Sequence, residues 1–354
     1  MKALVLDEVG KIACKEVPQP RINDDEVLVR VRACGICGSD IPRAYKNGAH
    51  KMPLIIGHEF AGELAESGKR VGVFPLIPCR DCGPCMKRKY EMCRNYSYLG
   101  SRKDGGFAEY VAVPKKNIIE IPNSVSNEAA AMIEPMAVAV HALKQAGLIT
   151  RYRILSDEEL IRRQNLHVVI CGAGTIGLFV VMFLFDAGYE NISVIGNRDI
   201  QRQMASRLGV FDHRFYDVRI PEQKEAAEKL EADVFFECVG KQETYEQAIN
   251  QTAPGGTVCL VGNPYSDMNL SQNTYWKILR NQITINGTWN SSFTGELDDD
   301  WHYVVNRLAL GAIEPERLIT HRFSLDEATK GFELMRDKTE DYIKVMVDVD
   351  AVLF

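Results

Sequence analysis

Apolar and polar residues alternate along much of the first 115 positions. EVLVRVRACG (26–35) and FAEYVAVP (107–114) have the two-residue period of strands with one buried face. MKALVLDEVGKIACKE (1–16) predicts a strand, a turn at Gly10 and a second strand. NEAAAMIEPMAVAVHALKQAG (127–147) is Ala-rich and ends on glycine, so it predicts a helix that Pro135 kinks or restarts. From about residue 166, continuous apolar runs replace alternation. LHVVICGAG, NISVIG, ADVFFECVG, TVCLVG and ITINGTW predict strands buried on both faces. TIGLFVVMFLFDAG, RDIQRQMASRLG and QETYEQAINQTAPGG predict helices between them, so this half reads as an α/β parallel sheet covered on both sides. The tail FSLDEATKGFELMRDKTEDYIKVMVDVD predicts one capped helix and a final strand. The charged stretch TRYRILSDEELIRRQN (150–165) predicts a surface insertion.

The 354 residues suit two domains. A net charge of −6 argues against a nucleic-acid partner, which would need a basic face. No run of about 18 apolar residues predicts a membrane span. The N-terminus lacks the apolar stretch of a signal peptide, so a soluble cytoplasmic protein is expected. Ten cysteines in that compartment are not expected to pair as disulfides. Cys14, Cys171, Cys238 and Cys259 stand in apolar contexts and are expected to be small core residues.

Four cysteines have a different setting. In CRDCGPCMKRKYEMC, Cys79, Cys82, Cys85 and Cys93 share one polar loop with C-x2-C-x2-C-x7-C spacing. Thiolates so spaced can surround one ion, and four of them complete a tetrahedral structural zinc site. The ferredoxin run differs in its last gap and ends in Cys-Pro. A second donor set is scattered. ACGICGSD, IIGHEFAG and AMIEPMAVAVHA contribute Cys37, His58 and Glu134, with Glu59 as a further candidate. One sulfur, one nitrogen and one oxygen are the three protein ligands of a catalytic zinc that keeps a position for substrate. Asp40 is a candidate acceptor to orient His58, and Cys34 is a bystander.

VVICGAGTIGL places Gly172, Gly174 and Gly177 as G-x-G-x-x-G after a strand and at the start of a helix, with Thr175 and Ile176 in that turn. This is the context in which backbone N–H groups receive a pyrophosphate. The next strand ends SVIGNRD. Gly196, Asn197 and Arg198 stand where NAD sites carry an acid, and Asp199 follows only three residues after Gly196. A small residue leaves room for a 2′-phosphate and an arginine can pair with it, so NADP(H) is expected over NAD(H). Cys238, Val239, Val261 and Gly262, at the ends of later strands, complete the candidate cofactor-binding set.

With CGICGSD, GHEFAG, the four-cysteine loop, DGGFAEY, EPMAVAVHA and GAGTIG in this order, the chain resembles the zinc-dependent medium-chain dehydrogenases, in their polyol and polyol-phosphate branch. The resemblance implies a GroES-like catalytic domain from 1–147 and 291–354, with a Rossmann domain at 148–290. It implies one catalytic and one structural zinc, and hydride transfer between a secondary alcohol and the nicotinamide. In that branch a glutamate replaces one cysteine ligand, which Glu134 matches, and Ser39 matches the hydroxyl that passes the proton out. Pro42 stands where many relatives carry a relay histidine, and His50 is a candidate substitute. The loop ELAESGKRVGVF is shorter than usual. Arg43, Lys46, Arg102 and Lys103 are candidate contacts for a phosphorylated substrate. A homodimer or homotetramer is expected by analogy, with TVCLVG…ITINGTW supplying the pairing edge. The rival readings are a simple alcohol, L-threonine or L-idonate dehydrogenase of the same superfamily, a zinc-free reductase of this fold, and a non-catalytic NADPH-binding protein.

Overall fold

The apolar runs past residue 166 form one six-stranded sheet in the computed structural model, which describes residues 1–150 and 155–349. Its strands are β1 (Val168–Cys171), β2 (Ile192–Gly196), β3 (Phe215–Asp217), β4 (Ala232–Glu237), β5 (Thr252–Leu260) and β6 (Thr284–Gly287). They lie in the order β3-β2-β1-β4-β5-β6, every pair parallel. This is the doubly wound order, which reverses beside β1 and leaves a crevice at the carboxyl ends of the strands. The helix Thr175–Asp186 buries eight of its twelve residues, which explains its near-continuous apolar sequence.

Two features of this sheet depart from expectation. The segment TAPGG belongs to β5 rather than to the end of the preceding helix. The β4–β5 register runs Ala232↔Thr252 and then Val234↔Thr257, so the extra residues form a bulge in which Gly255 adopts φ +77°. The helix Gln272–Asn281 was not apparent in the hydrophobic pattern. Its capping Ser271 accepts from the Thr274 N–H at 3.2 Å, and much of its apolar side faces outward. Of the 150–165 insertion, residues 151–154 lie outside the described residues. Asp157–Asn165 is an exposed helix opened by a reciprocal Ser156–Glu159 cap. Among the described residues no helix is long and apolar enough to cross a membrane.

The chain divides into two compact units, Met1–Ala137 with Ser291–Phe354, and Val138–Asn290. In the first, the strand Glu26–Ile36 is central to a seven-stranded sheet. It pairs antiparallel with Glu59–Leu64, Tyr110–Pro114 and Lys344–Asp348. Val29, Val31, Phe60, Phe107, Phe332 and Val345 are among its buried core residues. The register Gly35↔Glu59 brings Cys37, just past the end of one strand, beside His58, just before the start of its neighbour. Val345↔Ile36 brings Lys344 to the same place. The helical run breaks at Met132 into Asn127–Ala131 and Ile133–Gln145. Pro135 thus falls in a first turn, where its missing N–H has no intrahelical partner to lose, and Glu134 starts the new helix. Gly10 makes the expected turn at φ +79°. Cys171 and Cys259 are core residues, but Cys14 is only half-buried, its Sγ 3.6 Å from Asp326 Oδ1. The strand Lys11–Glu16 lies at the edge of its three-stranded sheet, which leaves that thiol partly covered.

Candidate metal and cofactor sites

In the four-cysteine lobe, the short helix Gly83–Met86 and left-handed turns at Arg80 (φ 64°) and Arg88 (φ 58°) curl the chain around a common centre. Cys79 Sγ lies 3.9 Å from Cys85 Sγ and 3.4 Å from Cys93 Sγ, and Cys82 Sγ lies 4.0 Å from Cys93 Sγ. A disulfide would bring a pair to about 2.05 Å. Four thiolates at about 2.3 Å from one tetrahedral ion stand about 3.8 Å apart, so the donor set fits zinc. The Cys79 N–H donates to Cys93 Sγ at 3.2 Å. The backbone of Arg94 lowers the Cys82 thiol to about 6, whereas burial pushes Cys85 up.

The second donor set is deeper. Ligand atoms of Cys37, His58 and Glu59 lie within 4.8 Å of one another. Ser39 Oγ donates to Cys37 Sγ at 3.3 Å. Asp40 is fully buried; it accepts from the Cys37 N–H at 3.1 Å and is bonded by the Arg43 guanidinium. Its Oδ1 lies 3.3 Å from His58 Nδ1, too far off line for a hydrogen bond but close enough to orient the ring by charge. Burial alone would lower the His58 imidazole. The Asp40 carboxylate and the Cys37 sulfur outweigh it and hold the ring above its ordinary value.

Glu134 is beside this trio, its Oε1 accepting from the Tyr98 hydroxyl at 3.1 Å. Burial pushes its carboxyl up to about 7, with Glu59 adding to the rise and His58 opposing it. Glu59 itself is held by the Lys344 ammonium, which is 2% exposed and also donates to Ile36 O at 3.2 Å. A side chain at Gly35 would put its Cβ 2.4 Å from Glu59 Oε2 and 2.7 Å from Lys344 Nζ, so that position has room only for glycine. A thiol, an imidazole and a carboxyl that burial makes easier to protonate, and that a bound cation would return to its ionised form, make a donor set suited to a divalent cation.

Sequence reasoning missed Lys344 and Tyr98. A lone lysine inside YIKVMVDVD was a usable signal, because a charge in an otherwise buried strand needs a partner. Arg43 and Arg102 were expected to be candidates for substrate phosphate, and both are otherwise engaged. Arg43 bonds Asp40; Arg102 donates to Tyr96 O at 2.9 Å and stacks over that ring. His50 and Pro42 are exposed.

In the other unit, the strand-to-helix turn after β1 has the tightness that a dinucleotide turn requires. Gly172 adopts φ +102°, and a Cβ there would lie 2.7 Å from Val239 Cγ2. A Cβ at Gly177 would stand 2.0 Å from Gly172 O. Gly174 caps the helix Thr175–Asp186, which carries Thr175 and Ile176 in its first turn, and nothing lies within 4 Å of where a Gly174 Cβ would be. That open helix start can accept a phosphate group closely. Cys238, Val239, Val261 and Gly262 gather at the ends of β4 and β5. Glu237 O accepts from the Val261 and Gly262 N–H groups at 2.8 and 2.9 Å. The Glu237 side chain, which the motif did not point to, accepts from Val239 N, Gly240 N and Thr244 Oγ1 at 2.9, 2.8 and 2.7 Å. At the end of β2, a Cβ on Gly196 would meet Phe215 Cζ at 2.6 Å. Asn197 is exposed and Arg198 half-buried. Arg202 is turned away from any ligand role: it donates to Asp212 at 2.7 Å and Gln223 at 2.7 Å and lies over the Phe215 ring.

Comparison with known proteins agrees with this architecture. The model of the alcohol dehydrogenase GroES-like domain matches residues 23–123, and that of the zinc-binding dehydrogenases matches residues 175–309. Galactitol 1-phosphate 5-dehydrogenase of Escherichia coli K12 is 32% identical over 338 residues, 92% of this chain and 94% of that protein. The crystal structure of galactitol-1-phosphate dehydrogenase from Escherichia coli superposes with a TM-score of 0.86 at 31% identity, covering 99% of this chain and 100% of that one. A protein described as a zinc-binding dehydrogenase, from Sinorhizobium meliloti 1021 and bound to NADP, gives a TM-score of 0.85 at 29% identity over 98% and 99% of the two chains.

Proposed function

The chain belongs to the zinc-dependent alcohol and polyol dehydrogenases of the medium-chain family, and from that premise we infer that it oxidises a secondary hydroxyl of a polyol phosphate with NADP. The observation that carries this reading is the convergence of Cys37, His58 and Glu59 donor atoms within 4.8 Å, beside Glu134. Cys37 and His58 would hold the catalytic zinc together with Glu134, which stands outside the 4.8 Å group and would complete the set while Lys344 retains Glu59; Cys79, Cys82, Cys85 and Cys93 would hold a structural one. A zinc ion in the first site supplies Lewis acidity, lowering the pKa of a substrate hydroxyl so that its carbon can release hydride to the nicotinamide. Ser39, whose hydroxyl lies 3.3 Å from Cys37 Sγ, would take the hydroxyl proton. Pro42 has no group to receive it, so Ser39 passes it to solvent. Asp40 and Arg43 keep His58 and the Cys37 loop oriented.

The phosphorylated substrate rests on the relative named for galactitol 1-phosphate. Of the four candidate cations, Lys46 is exposed, and Lys103 is exposed with its ammonium 4.0 Å from Glu26 Oε1, so Lys46 is the stronger candidate for such a group. The cofactor preference rests on Gly196, Asn197 and Arg198 at the end of β2. A panel of kcat/KM values tests both: galactitol 1-phosphate, sorbitol, L-idonate, threonine and simple primary alcohols, each with NADP and NAD. Galactitol 1-phosphate with NADP is expected to lead. Turnover of primary alcohols alone overturns the substrate reading, and a clear NAD preference overturns the cofactor reading.

The edge strand β6 supports a dimer. Among the described residues its outer edge is unpaired, and Tyr275, Trp276 and Leu279 of the helix Gln272–Asn281 are exposed by 53%, 47% and 50%. Pairing two such edges satisfies their backbone groups and covers this apolar face. Light scattering is expected to give at least twice the 39.8 kDa chain mass, and Leu279→Glu to shift it towards one chain. A monomeric wild type at micromolar concentration rules out this edge as an interface.

A further inference from the structure

Beyond Gly196, the end of β2 faces a charged cluster from the neighbouring strand. The pairing Gly196↔Asp217 and the hydrogen bond from Val218 N to Gly196 O, at 3.0 Å, bring the turn after β3 alongside the strand end. Arg219 stands in that turn. Its Nε donates to both Asp217 oxygens at 3.0 and 3.1 Å, its Nη2 donates to Asp217 Oδ2, and its backbone N–H donates to Asp217 Oδ1 at 3.0 Å. The same Nη2 is also bonded by Asp199, in the first turn of the helix Asp199–Arg207. Nη1 makes no hydrogen bond among the described residues.

The two acids differ. The Asp217 side chain is 3% exposed, and its backbone N–H is tied to Gln223 Oε1 at 2.9 Å. The hydrogen bonds from Arg219 hold its carboxyl below the usual range, so it is a permanent anchor for the guanidinium. The Asp199 side chain is 76% exposed and, among the described residues, is bonded only to Nη2 of Arg219, which is itself 48% exposed. An ion pair that open to water is weak and readily exchanged. Asp199 therefore occupies, weakly, a donor edge that a better acceptor would take. A phosphate dianion is such an acceptor, because it meets the planar guanidinium fork with two oxygens.

We propose that Arg219 is the second arm of the 2′-phosphate site, anchored by Asp217, and that Asp199 is a placeholder which the cofactor phosphate displaces. The inference rests on the NADP reading above and deepens it. It assigns to the β3 turn a specificity role that the strand-end motif does not reveal, and it explains why an acid can stand close to this site without excluding a phosphate. Asp199 turns out to solvent when the phosphate arrives, and Arg219 exchanges one carboxylate for one phosphate oxygen pair while Asp217 keeps it in place.

The test is calorimetric binding of two fragments, 2′,5′-ADP and 5′-AMP, to the full chain at low ionic strength. Wild type is expected to bind 2′,5′-ADP at least about tenfold more tightly, as one charge-assisted bidentate contact allows. Arg219→Gln is expected to lose most of that ratio while 5′-AMP affinity stays within about twofold of wild type. Asp217→Asn is added to it if the unpaired Asp217 impairs folding. Asp199→Asn is expected to bind 2′,5′-ADP several-fold more tightly, and to lose that gain when combined with Arg219→Gln. A full gain in the double variant would mean that Asp199 acts by general repulsion, and would overturn the placeholder role. An Arg219→Gln protein with an unchanged fragment ratio would overturn the second arm while leaving the NADP reading intact. A wild type with no preference for 2′,5′-ADP removes the NADP reading and this inference together.

Discussion

Cys37→Ala is expected to lower kcat/KM for alcohol oxidation by at least about a thousandfold, the effect of losing the several kcal/mol that a Lewis acid contributes. Cys37 follows the end of the central strand, and its sulfur is one of the three atoms gathered within 4.8 Å. Removing it leaves an imidazole and carboxylates, too few soft donors to retain zinc against exchange with water. The same protein is expected to bind NADPH within about twofold of wild type, because the Gly172, Gly174 and Gly177 turn belongs to the other unit. Elemental analysis should fall from two zinc ions per chain to one. Cys93→Ser is the control. It should also lose one ion per chain, but from the four-cysteine lobe, and show itself first as a lower unfolding temperature. Full activity of Cys37→Ala would overturn the assignment of the catalytic centre, whatever became of the cofactor.

Much of this arrangement was legible because its signals are local. A strand, three spaced glycines and a helix are contiguous, so the dinucleotide turn could be read from eleven letters. The cysteine lobe likewise lies within fifteen residues. The β5 bulge was misread because Pro254, Gly255 and Gly256 carry strong turn propensity, and only the neighbouring β4 keeps them in the sheet. The partners that tune the site were out of reach for a different reason. Lys344 meets Glu59 across 285 positions of chain, and Tyr98 meets Glu134 across 36. Arg219 meets Asp199 across 20 positions and a strand order that single-sequence periodicity does not specify. Motifs show which atoms are available for chemistry, whereas the charges that position them depend on sheet register.

That dependence makes Lys344→Met the second large effect. Lys344 and Glu59 have side chains 2% and 3% exposed, and Lys344 is the first residue of its strand. Burial would lower the ammonium, but Glu59 outweighs it and keeps the group charged. Methionine fills the same volume and strands the Glu59 carboxylate. Breaking a buried pair from one side costs about 3–5 kcal/mol, and urea denaturation is expected to show a loss of that size. Glu59→Leu alone should fall by a similar amount, because it leaves the ammonium buried without its counter-charge. The double variant should recover most of the loss, since replacing both ions by apolar groups of similar shape is often neutral. The metal gives a second readout. Without Lys344, Glu59 is free to turn towards Cys37 and His58 and add a carboxylate to the donor set, so zinc should leave Lys344→Met more slowly under chelator while kcat/KM falls. A loss below about 1 kcal/mol, well under the cost of breaking a buried pair, together with unchanged zinc release would show that Glu59 is not restrained by Lys344 and leave it a full candidate ligand beside Glu134.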